Sequence, residues 1–597
     1  MRIRINDFAG TFPRYHPTKI ADHAAQSCSN VMVEHGILTP GYQASQTHVS
    51  NQVGLDKFVS AVFFQNEGET YKKFSNNLVS FAFSPVYESY RLYWTTEDAR
   101  EPLRFNDWRV GDTGSLVTDG FDYIAGMPPV EVQDITVSGV IDTASVNNVL
   151  STSTVDGKSK TEEDISDQVA GALETEDNIE ARVYAFTYVN RFGDESVPNV
   201  KEEVLYTDKD TVPVITIPYD DGVREDLILN YAITKIRLYR SVTNSLGVAQ
   251  FLYIKEVAFT PAGPSIEITD DVPKGSLMIG EPLPTINLDP PRENMKGLGV
   301  TDSGVGYAYI DKTICLSEPY LLYAWPRFYE LSTKHTIMGM GHYDNTIVVA
   351  TTGNPVLING TSPESMGALS LPLYEGCVSS RSMVNLNHGC MYASENGLVL
   401  VTTNSAKLLT ESVFTTEDWQ KINPSSIHAS HYKNGYLFFW DNGTDKGCGY
   451  IDLDSPSKGV LWFDDYALNT FVDDGTVQMI KLQTDYYNAT KSIHQTFNPE
   501  YGESATRKTY KWRSKTFNLD TPKRLLAAQV IADDYAAGTI IFRVYVDGSL
   551  LHEGNVSSAR SFRIKNHSAR RDFSVEVESS VPIREIAIGE TMRDLIV

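Results

Sequence analysis

The sequence predicts an all-β fold whose core is a β-propeller. Of the 597 residues, 11% are aromatic, and 41 Gly and 27 Pro are distributed along the whole chain. This mixture favours many short strands that are joined by tight turns. A unit of 40–46 residues also repeats in the second half of the chain, which is the length of a propeller blade of about four strands. The chain is long enough for about three to five domains.

Residues 1–54 are predicted to form a short N-terminal arm with one helix. Apolar residues between Ile20 and Met32 recur at roughly helical spacing, and Pro17 precedes them. An arm with so little apolar mass is too small to be stable alone, so it should gain order by packing on other protein surface. Residues 55–133 follow with strand patterns such as Phe58–Phe64 and Tyr90–Trp94, which we assign to the first propeller strands.

Residues 134–181 form an acidic segment that is predicted to be a solvated linker or a loosely structured insertion. The segment contains eleven acidic and two basic residues, many Ser and Thr, and few aromatic residues. A calcium-binding loop is the alternative, but the segment has no D-x-D-x-D-G run with Glu at the twelfth position.

Residues 182–275 are predicted to form a β-sandwich of the fibronectin III type. Arg182–Val189 alternates strongly, the turn Asn190–Asp194 follows it, and further strands are expected at Ile236–Arg240 and Phe251–Val257. No cysteine pair links two halves of this block, which argues against an antibody-type domain. We expect the block to lie at the periphery, with the acidic segment as a flexible tether.

Residues 276–500 are assigned to the main β-propeller because each repeat unit places a turn before an aromatic-rich strand. The turns are marked by Gly304, Asn345, Gly389, Gly435 and Gly475, with spacings of 41, 44, 46 and 40 residues. The alternative is a large sandwich with coincidental spacing. Strands within residues 55–133 would supply a missing blade, which would make the sandwich an insertion into the propeller.

Residues 501–597 are predicted to be a C-terminal β domain with a docking role. This block carries fifteen Lys and Arg against twelve Asp and Glu, whereas the rest of the chain has a net charge of −28. Two basic runs form our candidate assembly interface: Arg507, Lys508, Lys511, Arg513 and Lys515, and then Arg560, Arg563, Lys565, Arg570 and Arg571. The alternative is that these residues are solvated strand faces, but in an acidic protein they could meet acidic partner surfaces.

Chemical motifs give no indication of catalysis. His428 and His431 have H-x-x-H spacing, but in a strand they would face opposite sides, and no third ligand is nearby, so no metal site is expected. The chain lacks G-x-S-x-G, H-E-x-x-H, a phosphate-binding glycine loop and the sialidase-type S-x-D-x-G-x-T-W box. Cys377 is interpreted as a buried structural residue. We therefore expect no enzymatic activity, no metal and no cofactor.

The net charge of −25 argues against a protein that reads DNA sequence, because such proteins need a basic face. An acidic surface does permit DNA to pass along the protein without binding to it. No stretch approaches 18 apolar residues, and MRIRINDFAG lacks an apolar h-region, so we expect neither a membrane segment nor a secretory signal.

A series of short motifs follows the chain in order. These are Phe8–Arg14, Ala21–Gln26 with Asn30, Gly280–Leu283, Pro290–Pro291 with Lys296–Leu298, Leu316–Tyr320 with Ala324–Pro326, Gly376–Ser382, Tyr392–Leu398, Phe414–Trp419 with Asn423–Ser426, Tyr510–Lys515 and Met592–Leu595. In content and order the series resembles the tail tube or nozzle proteins of short-tailed (podovirus-type) bacteriophages. Only the acidic residues 134–181 have no counterpart in that family.

The resemblance implies a structural virion protein that forms a homo-hexameric ring below the portal and head-tail adaptor proteins. The ring would conduct and gate double-stranded DNA during ejection, without sequence-specific binding, and would anchor tail fibre or tail spike proteins. Its location would be the virion tail, after assembly in the host bacterial cytoplasm. Carboxylates around the lumen would repel DNA phosphates.

Two other classes stay open. A carbohydrate-binding propeller protein, used for receptor binding or glycan degradation, would need aromatic platforms and paired carboxylates. A bacterial surface adhesin would need a secretion signal, which the sequence does not indicate.

Overall fold

The computed structural model consists mainly of β-strands in the residues that it describes. It describes residues 1–48, 60–64, 70–74, 78–85, 90–96, 101–110, 116–118, 121–125, 135–140, 154–155, 158–159, 179–201, 203–208, 211–219, 221–243, 249–259, 263–277, 279–403, 405–453, 458–473, 476–484, 490–498 and 506–595. Most of the predicted acidic linker, including the alternative calcium loop, lies outside these ranges. Within them, no helix has the length and apolar character needed to cross a membrane.

The N-terminal segment consists of strands, so the predicted helix between Ile20 and Met32 is wrong. Strands β1–β5 are Arg2–Ile5, Ala25–Ser29, Val31–Glu34, Ile37–Pro40 and Ser45–His48. The turn between β3 and β4 places His35 at φ 51° and Gly36 at φ 76°, the left-handed pair that a tight two-residue hairpin requires. Pairing with distant strands outweighs the weak helical spacing in this segment.

A second group of strands precedes the sandwich. Strands β6–β12 are Ser60–Phe64, Thr70–Phe74, Val79–Phe83, Tyr90–Thr96, Arg104–Val110, Leu116–Thr118 and Tyr123–Ile124. β8 to β11 form an antiparallel sheet with β12 beside β10, and β6 and β7 form a separate hairpin.

The inserted domain is a sandwich of a four-stranded and a three-stranded sheet. Strands β13–β23 are Thr136–Ser138, Thr154–Val155, Lys158–Ser159, Ile179–Arg182, Tyr184–Asn190, Asn199–Val200, Leu205–Asp208, Val214–Pro218, Ile233–Thr243, Ala249–Ala258 and Ser265–Thr269. The sheets have the orders β18-β17-β21-β22 and β13-β20-β23. The sandwich therefore begins near Ile135, which is part of its core, rather than at residue 182. Two helices that were not predicted also belong to it: α1, Asp221–Tyr231, and α2, Lys274–Leu277.

The repeat predicted from the sequence forms five four-stranded antiparallel sheets, and the β-propeller is confirmed. Strands β24–β42 are Lys296–Val300, Gly306–Ile310, Thr313–Leu316, Leu331–Ser332, Ile337–Tyr343, Thr346–Thr351, Val356–Asn359, Gly367–Ser370, Val384–Leu386, Gly389–Ala393, Leu398–Thr402, Ser405–Leu408, His428–Tyr432, Gly435–Asp441, Lys446–Asp452, Val460–Phe463, Asn469–Asp473, Thr476–Thr484 and Thr490–Thr496. Blades 1 to 4 are β24–β27, β28–β31, β32–β35 and β36–β39; blade 5 is β40–β42, completed by β5. Helix α3, Thr416–Gln420, connects blades 3 and 4.

The first strand of each blade lies innermost, and these strands contact one another in order around an axis. β24 contacts β28, β28 contacts β32, β32 contacts β36, and β36 contacts β40. On the remaining side, β8 contacts β24 and β6 contacts β40. The strands of residues 60–124 thus lie between blades 5 and 1, and the sandwich is inserted between them and blade 1. The repeated turns marked by Gly304, Asn345, Gly389 and Gly435 lie at the hairpins between first and second strands; Gly475 lies outside the described residues.

The C-terminal domain is a second sandwich that incorporates the N-terminal strands. Strands β43–β50 are Tyr510–Ser514, Phe517–Lys523, Ala527–Ala532, Ile540–Val546, Ser549–Asn555, Phe562–Arg563, Arg570–Ser579 and Ile583–Gly589. The sheets have the orders β3-β4-β50-β45-β48, with β1 beside β50, and β2-β43-β49-β46-β47, with β44 beside β49. One hydrophobic cluster runs from this sandwich into blades 4 and 5, so the two units share a core.

Candidate functional site

The Phe8–Arg14 and Tyr510–Lys515 motifs, which are about five hundred residues apart in the sequence, pack directly against each other. Phe8 meets the Trp512 ring edge to face, with ring centroids 5.0 Å apart, and both side chains are fully buried. The Trp512 Nε1–H donates to the Ala9 carbonyl at 3.0 Å. Trp462 of blade 4 donates to the Thr11 hydroxyl at 2.8 Å. The N-terminal motif therefore joins blade 4 to the C-terminal domain.

Further sequence motifs contact one another around blade 3. The Trp419 Nε1–H donates to the Ser394 carbonyl at 2.9 Å, which links Phe414–Trp419 to Tyr392–Leu398. Asn396 donates to both carboxylate oxygens of Glu375, at 3.0 and 3.1 Å. The Tyr436 hydroxyl donates to the Ser382 carbonyl at 2.6 Å. These motif residues make packing and hydrogen-bond contacts within the chain.

The sandwich is anchored to the propeller through its Asn190–Asp194 turn. Arg91 of β9 donates to both carboxylate oxygens of Asp194 at 3.0 Å. Phe192 packs edge to face on Phe105 and Tyr123, with centroids 5.3 and 5.5 Å away. Arg91 and both ring partners of Phe192 belong to the β8–β12 sheet, so the sandwich turn packs at a defined position on this sheet.

The first basic run is largely engaged within the chain. Lys508 pairs with Asp465 of the blade 5 side, and Lys515 pairs with Asp22 at 2.7 Å. Lys511 lies 3.7 Å from Glu578, Arg513 covers the Tyr545 ring at 3.7 Å, and Arg507 makes an isolated backbone bridge to Tyr42. Arg507, Lys508 and Lys515 therefore attach the C-terminal domain to the N-terminal segment and the propeller. Lys511 and Arg513 instead contact side chains of the C-terminal domain itself.

The residues of the second basic run are more exposed to solvent and make fewer ion pairs within the chain. Arg570 pairs with the exposed Asp547 at 3.1 Å. Arg560, Arg563, Lys565 and Arg571 are exposed, and no ion pair to another described residue involves them. Arg563 belongs to β48, the edge strand of its sheet. These four residues form what we call the open basic face.

The histidine pair lies on a strand, as predicted, and its two members differ in surroundings. His428 is buried and stacks on Phe439, with ring centroids 5.3 Å apart, whereas His431 is half-buried. Burial, together with the nearby Arg381 guanidinium, lowers the pKa of His428 to about 3, so the ring is neutral. Among the described residues, no group of three or more His, Cys, Asp or Glu side chains is arranged to hold a metal.

All five cysteines are buried free thiols, which confirms the interpretation of Cys377. Its Sγ–H donates to the Ser379 carbonyl at 3.2 Å, and burial raises its pKa to about 11. A thiol of this kind is a poor nucleophile at neutral pH.

A cavity of about 210 Å³ lies where the innermost strands begin, around the propeller axis. Its walls come from β8, β24, β28, the Ser380–Ser382 turn, β36 and β40. Arg381 reaches across it from blade 3 to blade 5, where it donates to the Leu468 carbonyl at 2.7 Å and to Asn469 Oδ1 at 3.0 Å. Lys296, at the start of β24, also lines the cavity. We call it the axial cavity.

Sequence reasoning did not identify the axial cavity. In the sequence, Arg381 and Lys296 stand out only as members of the Gly376–Ser382 and Lys296–Leu298 motifs. Their positions in the repeat could have indicated the cavity. Both residues lie at or just before the first strand of a repeat unit, and this strand lines the axis of a propeller.

No protein-family model matches the chain, and no curated protein matches its sequence. Among solved structures, it is similar to the Pan2 WD40 domain of Neurospora crassa, with 8% identity, TM-score 0.23, and coverage of 45% of this chain and 86% of that one. It is also similar to TolB from Acinetobacter baumannii, with 10% identity, TM-score 0.23, and coverage of 59% and 79%. An exo-β-1,3-galactanase from Phanerochaete chrysosporium shows 8% identity, TM-score 0.17, and coverage of 85% and 95%.

Proposed function

We propose that this propeller protein is a structural subunit of a short bacteriophage tail. Six copies would form a nozzle or tube that conducts and gates double-stranded DNA during ejection and anchors tail fibre or tail spike proteins. The subunit would act without catalysis, metal or cofactor. The observation that carries the proposal is the ordered series of motifs that resemble that family, from Phe8–Arg14 to Met592–Leu595.

The contacts of those motifs support a structural role. Phe8–Arg14 meets Tyr510–Lys515, and Phe414–Trp419 meets Tyr392–Leu398, through buried rings and hydrogen bonds to backbone carbonyls. Groups arranged in this way fix domains relative to one another. A conduit that guides DNA under load would need such rigid connections between its units.

The charge distribution supports both the conduit and its assembly. A net charge of −25 would limit adhesion of DNA phosphates as the polymer passes. The open basic face would meet acidic surface of a neighbouring copy or of an adaptor protein. Because surface ion pairs are weak singly and are screened by salt, their joint contribution should be modest and salt-sensitive.

The proposal is tested by the oligomeric form of the purified full-length chain. Negative-stain microscopy and native mass spectrometry should reveal a ring with a central opening, and its mass should be six subunits. Immunogold labelling of purified short-tailed virions that carry this chain should place it in the tail. A chain that stays monomeric with and without head-tail adaptor protein, and that labels no virion tail, would contradict the proposal.

Charge reversal tests which basic residues assemble the ring. The variant Arg560→Glu, Arg563→Glu, Lys565→Glu should lower the ring yield at low salt while the monomers keep their melting temperature. The matched control is Lys312→Glu, Lys334→Glu, Lys407→Glu, since these residues are exposed on the propeller and change the net charge equally. Equal ring yields from the two triple variants would exclude a role for the open basic face.

Carbohydrate binding is the second candidate, and one groove favours it. Phe12, Tyr15 and Trp462 line a groove of about 340 Å³ beside the N-terminal motif, and Tyr15 is exposed. Aromatic rings of this kind provide platforms for apolar faces of ligands. No Asp or Glu is among the described residues that line the groove, so the groove would bind a glycan rather than cleave it. A glycan array in which Tyr15→Ala abolishes a specific signal would favour this candidate.

A further inference from the structure

The open basic face is part of a segment that carries no acidic residue. Residues 554–571 contain five Lys and Arg and no Asp or Glu, although the whole chain has a net charge of −25. Four of these five cations form the open basic face. They are exposed, and no side-chain hydrogen bond or ion pair to another described residue involves them. Uncompensated positive charge is therefore concentrated on one exposed segment of an acidic protein.

The face also lies at an open edge of a sheet. Arg563 belongs to β48, which pairs only with β45 among the described strands. Ile564 is buried, whereas its neighbours Arg563 and Lys565 are both exposed. Residues two apart on an extended backbone lie on the same side, roughly 6–7 Å from each other. Such charges oppose pairing with a basic strand but favour an extended segment of the opposite charge.

The chain itself contains a stretch of complementary charge. Residues 161–178, which we call the carboxylate stretch, carry seven Asp and Glu and no Lys or Arg. They lie outside the described residues, between Ser159 of β15 and Ile179 of β16 in the inserted sandwich. A fully extended chain of this length spans about 60 Å, so its middle can reach about 30 Å from those two strands. The stretch is therefore long enough to contact another copy.

We infer that the open basic face binds the carboxylate stretch of a neighbouring copy. Glu162 and Asp164 have the same two-residue spacing as Arg563 and Lys565, so carboxylates on one side of an extended stretch can form charge-assisted hydrogen bonds with these cations. The face and the stretch are different surfaces of one chain, and heterologous contacts of this kind can close into a ring. The inference rests on the proposed self-assembly and names the surface that the open basic face meets.

The first test uses the full-length chain with its own carboxylate stretch neutralised, so that the face is free. A fluorescent peptide of residues 161–178 should bind this amide variant saturably at low salt, and binding should weaken about tenfold or more at high salt because ion pairs are screened. A peptide with amides in place of the seven carboxylates should not bind. Absence of saturable binding by the acidic peptide would overturn the inference. The amide variant carries Glu162→Gln, Glu163→Gln, Asp164→Asn, Asp167→Asn, Glu174→Gln, Glu176→Gln and Asp177→Asn.

Charge reversal localises the bound peptide. Adding Arg560→Glu, Arg563→Glu and Lys565→Glu to the amide variant should abolish peptide binding without lowering the melting temperature. The matched control, which reverses three exposed lysines of the propeller, should leave the affinity unchanged. Equal affinity in these two chains would overturn the site. A short DNA duplex tests the other class of polyanion: stronger displacement of the peptide by the duplex than by unlabelled peptide would assign the face to nucleic acid and overturn the inference.

A mixing experiment determines whether the contact joins two copies. The amide variant keeps the open basic face, and the Arg560→Glu, Arg563→Glu, Lys565→Glu variant keeps the carboxylate stretch. Each alone should give fewer rings than the unmodified chain in native mass spectrometry, whereas an equal mixture should contain pairs with one chain of each kind. Absence of mixed pairs would overturn the inference. Rings that are unchanged in both variants would also overturn it and leave the proposed ring standing, whereas a monomeric unmodified chain would contradict the proposed ring itself.

Discussion

Replacing Phe8 by Ala should destabilise the C-terminal domain, although the two are at opposite ends of the sequence. Phe8 is fully buried and packs edge to face against Trp512, with centroids 5.0 Å apart. Truncation of a buried Phe costs about 3–5 kcal/mol, and the lost aromatic pair adds to that cost. At about 4 °C per kcal/mol for a domain of this size, the melting transition should fall by more than about 10 °C.

The assay is differential scanning calorimetry of the full-length chain, combined with limited proteolysis and mass spectrometry of the N-terminal fragments. Transition midpoints are compared, because a chain with several domains does not unfold in two states. Tyr15→Ala is the matched control: Tyr15 is an aromatic residue of the same segment, but it is 45% exposed. Its replacement should cost less than about 1 kcal/mol.

Phe8→Ala should also make residues 1–40 sensitive to protease at temperatures where the unmodified chain resists it. If Phe8→Ala and Tyr15→Ala melted at the same temperature and were cleaved at the same rate, the N-terminal segment would be a detachable arm. The shared core that we describe would then be wrong.

Three further predictions concern the sandwich, the pH dependence and the thiols. Asp194→Asn should loosen the sandwich and expose its junction to protease, because Arg91 would lose the carboxylate it contacts at 3.0 Å and keep only Asp107, 3.7 Å away. The expected loss is about 1.5–3 kcal/mol, and unchanged proteolysis would contradict this. The pKa of His428 is about 3 in the fold and about 6.5 in an unfolded chain, so its stability contribution is complete above pH 6.5 and is lost as the pH falls towards 3. His428→Phe should therefore show a flatter loss of melting temperature over that range than the unmodified chain, and parallel curves would refute the assignment. Burial raises the pKa of Cys28 to about 12 and of Cys377 to about 11, so a thiol reagent should label the folded chain slowly and the denatured chain at all five cysteines.

The propeller could be predicted because its signal is local and repeated. Each blade places a hairpin between its first and second strands, and a tight hairpin restricts which residues fit. Gly304 adopts φ 80°, a conformation that favours Gly. Gly389 and Gly435 serve another purpose: a Cβ atom there would come within 2.5 Å of the Val401 and Ile451 carbonyl oxygens of the next strand.

The N-terminal strands could not be predicted because their signal is not local. Ala25–Ser29 becomes a strand by pairing with Tyr510–Ser514, almost five hundred residues further along the chain. In isolation, the apolar spacing between Ile20 and Met32 favours a helix. The periodicity of a sequence shows which side chains a segment could bury together as a helix or as a strand. Which of the two forms depends on the strands that the segment packs against in the fold.

The candidate site was predicted only as far as composition allows. The excess of basic residues in the C-terminal block is visible in the sequence, but the pairing of each residue is not. Lys508 and Lys515 are paired within the chain, whereas Arg560 and Arg563 are exposed. The axial cavity needs side chains from several blades, so no single segment of the sequence reveals it.

The connection of the chain ends limits how copies of this protein could assemble. Residues 1–40 complete both sheets of the C-terminal sandwich, and Ser45–His48 completes blade 5 by pairing with β42. Strands that are already paired within their own chain are poor candidates for exchange with a neighbour. Contacts between copies should therefore use surface that the intrachain pairs leave open, and the four residues of the open basic face are charged surface of that kind. Charge reversal at Arg560, Arg563 and Lys565 should therefore affect contacts between copies, whereas reversal in the first basic run would break pairs within the chain.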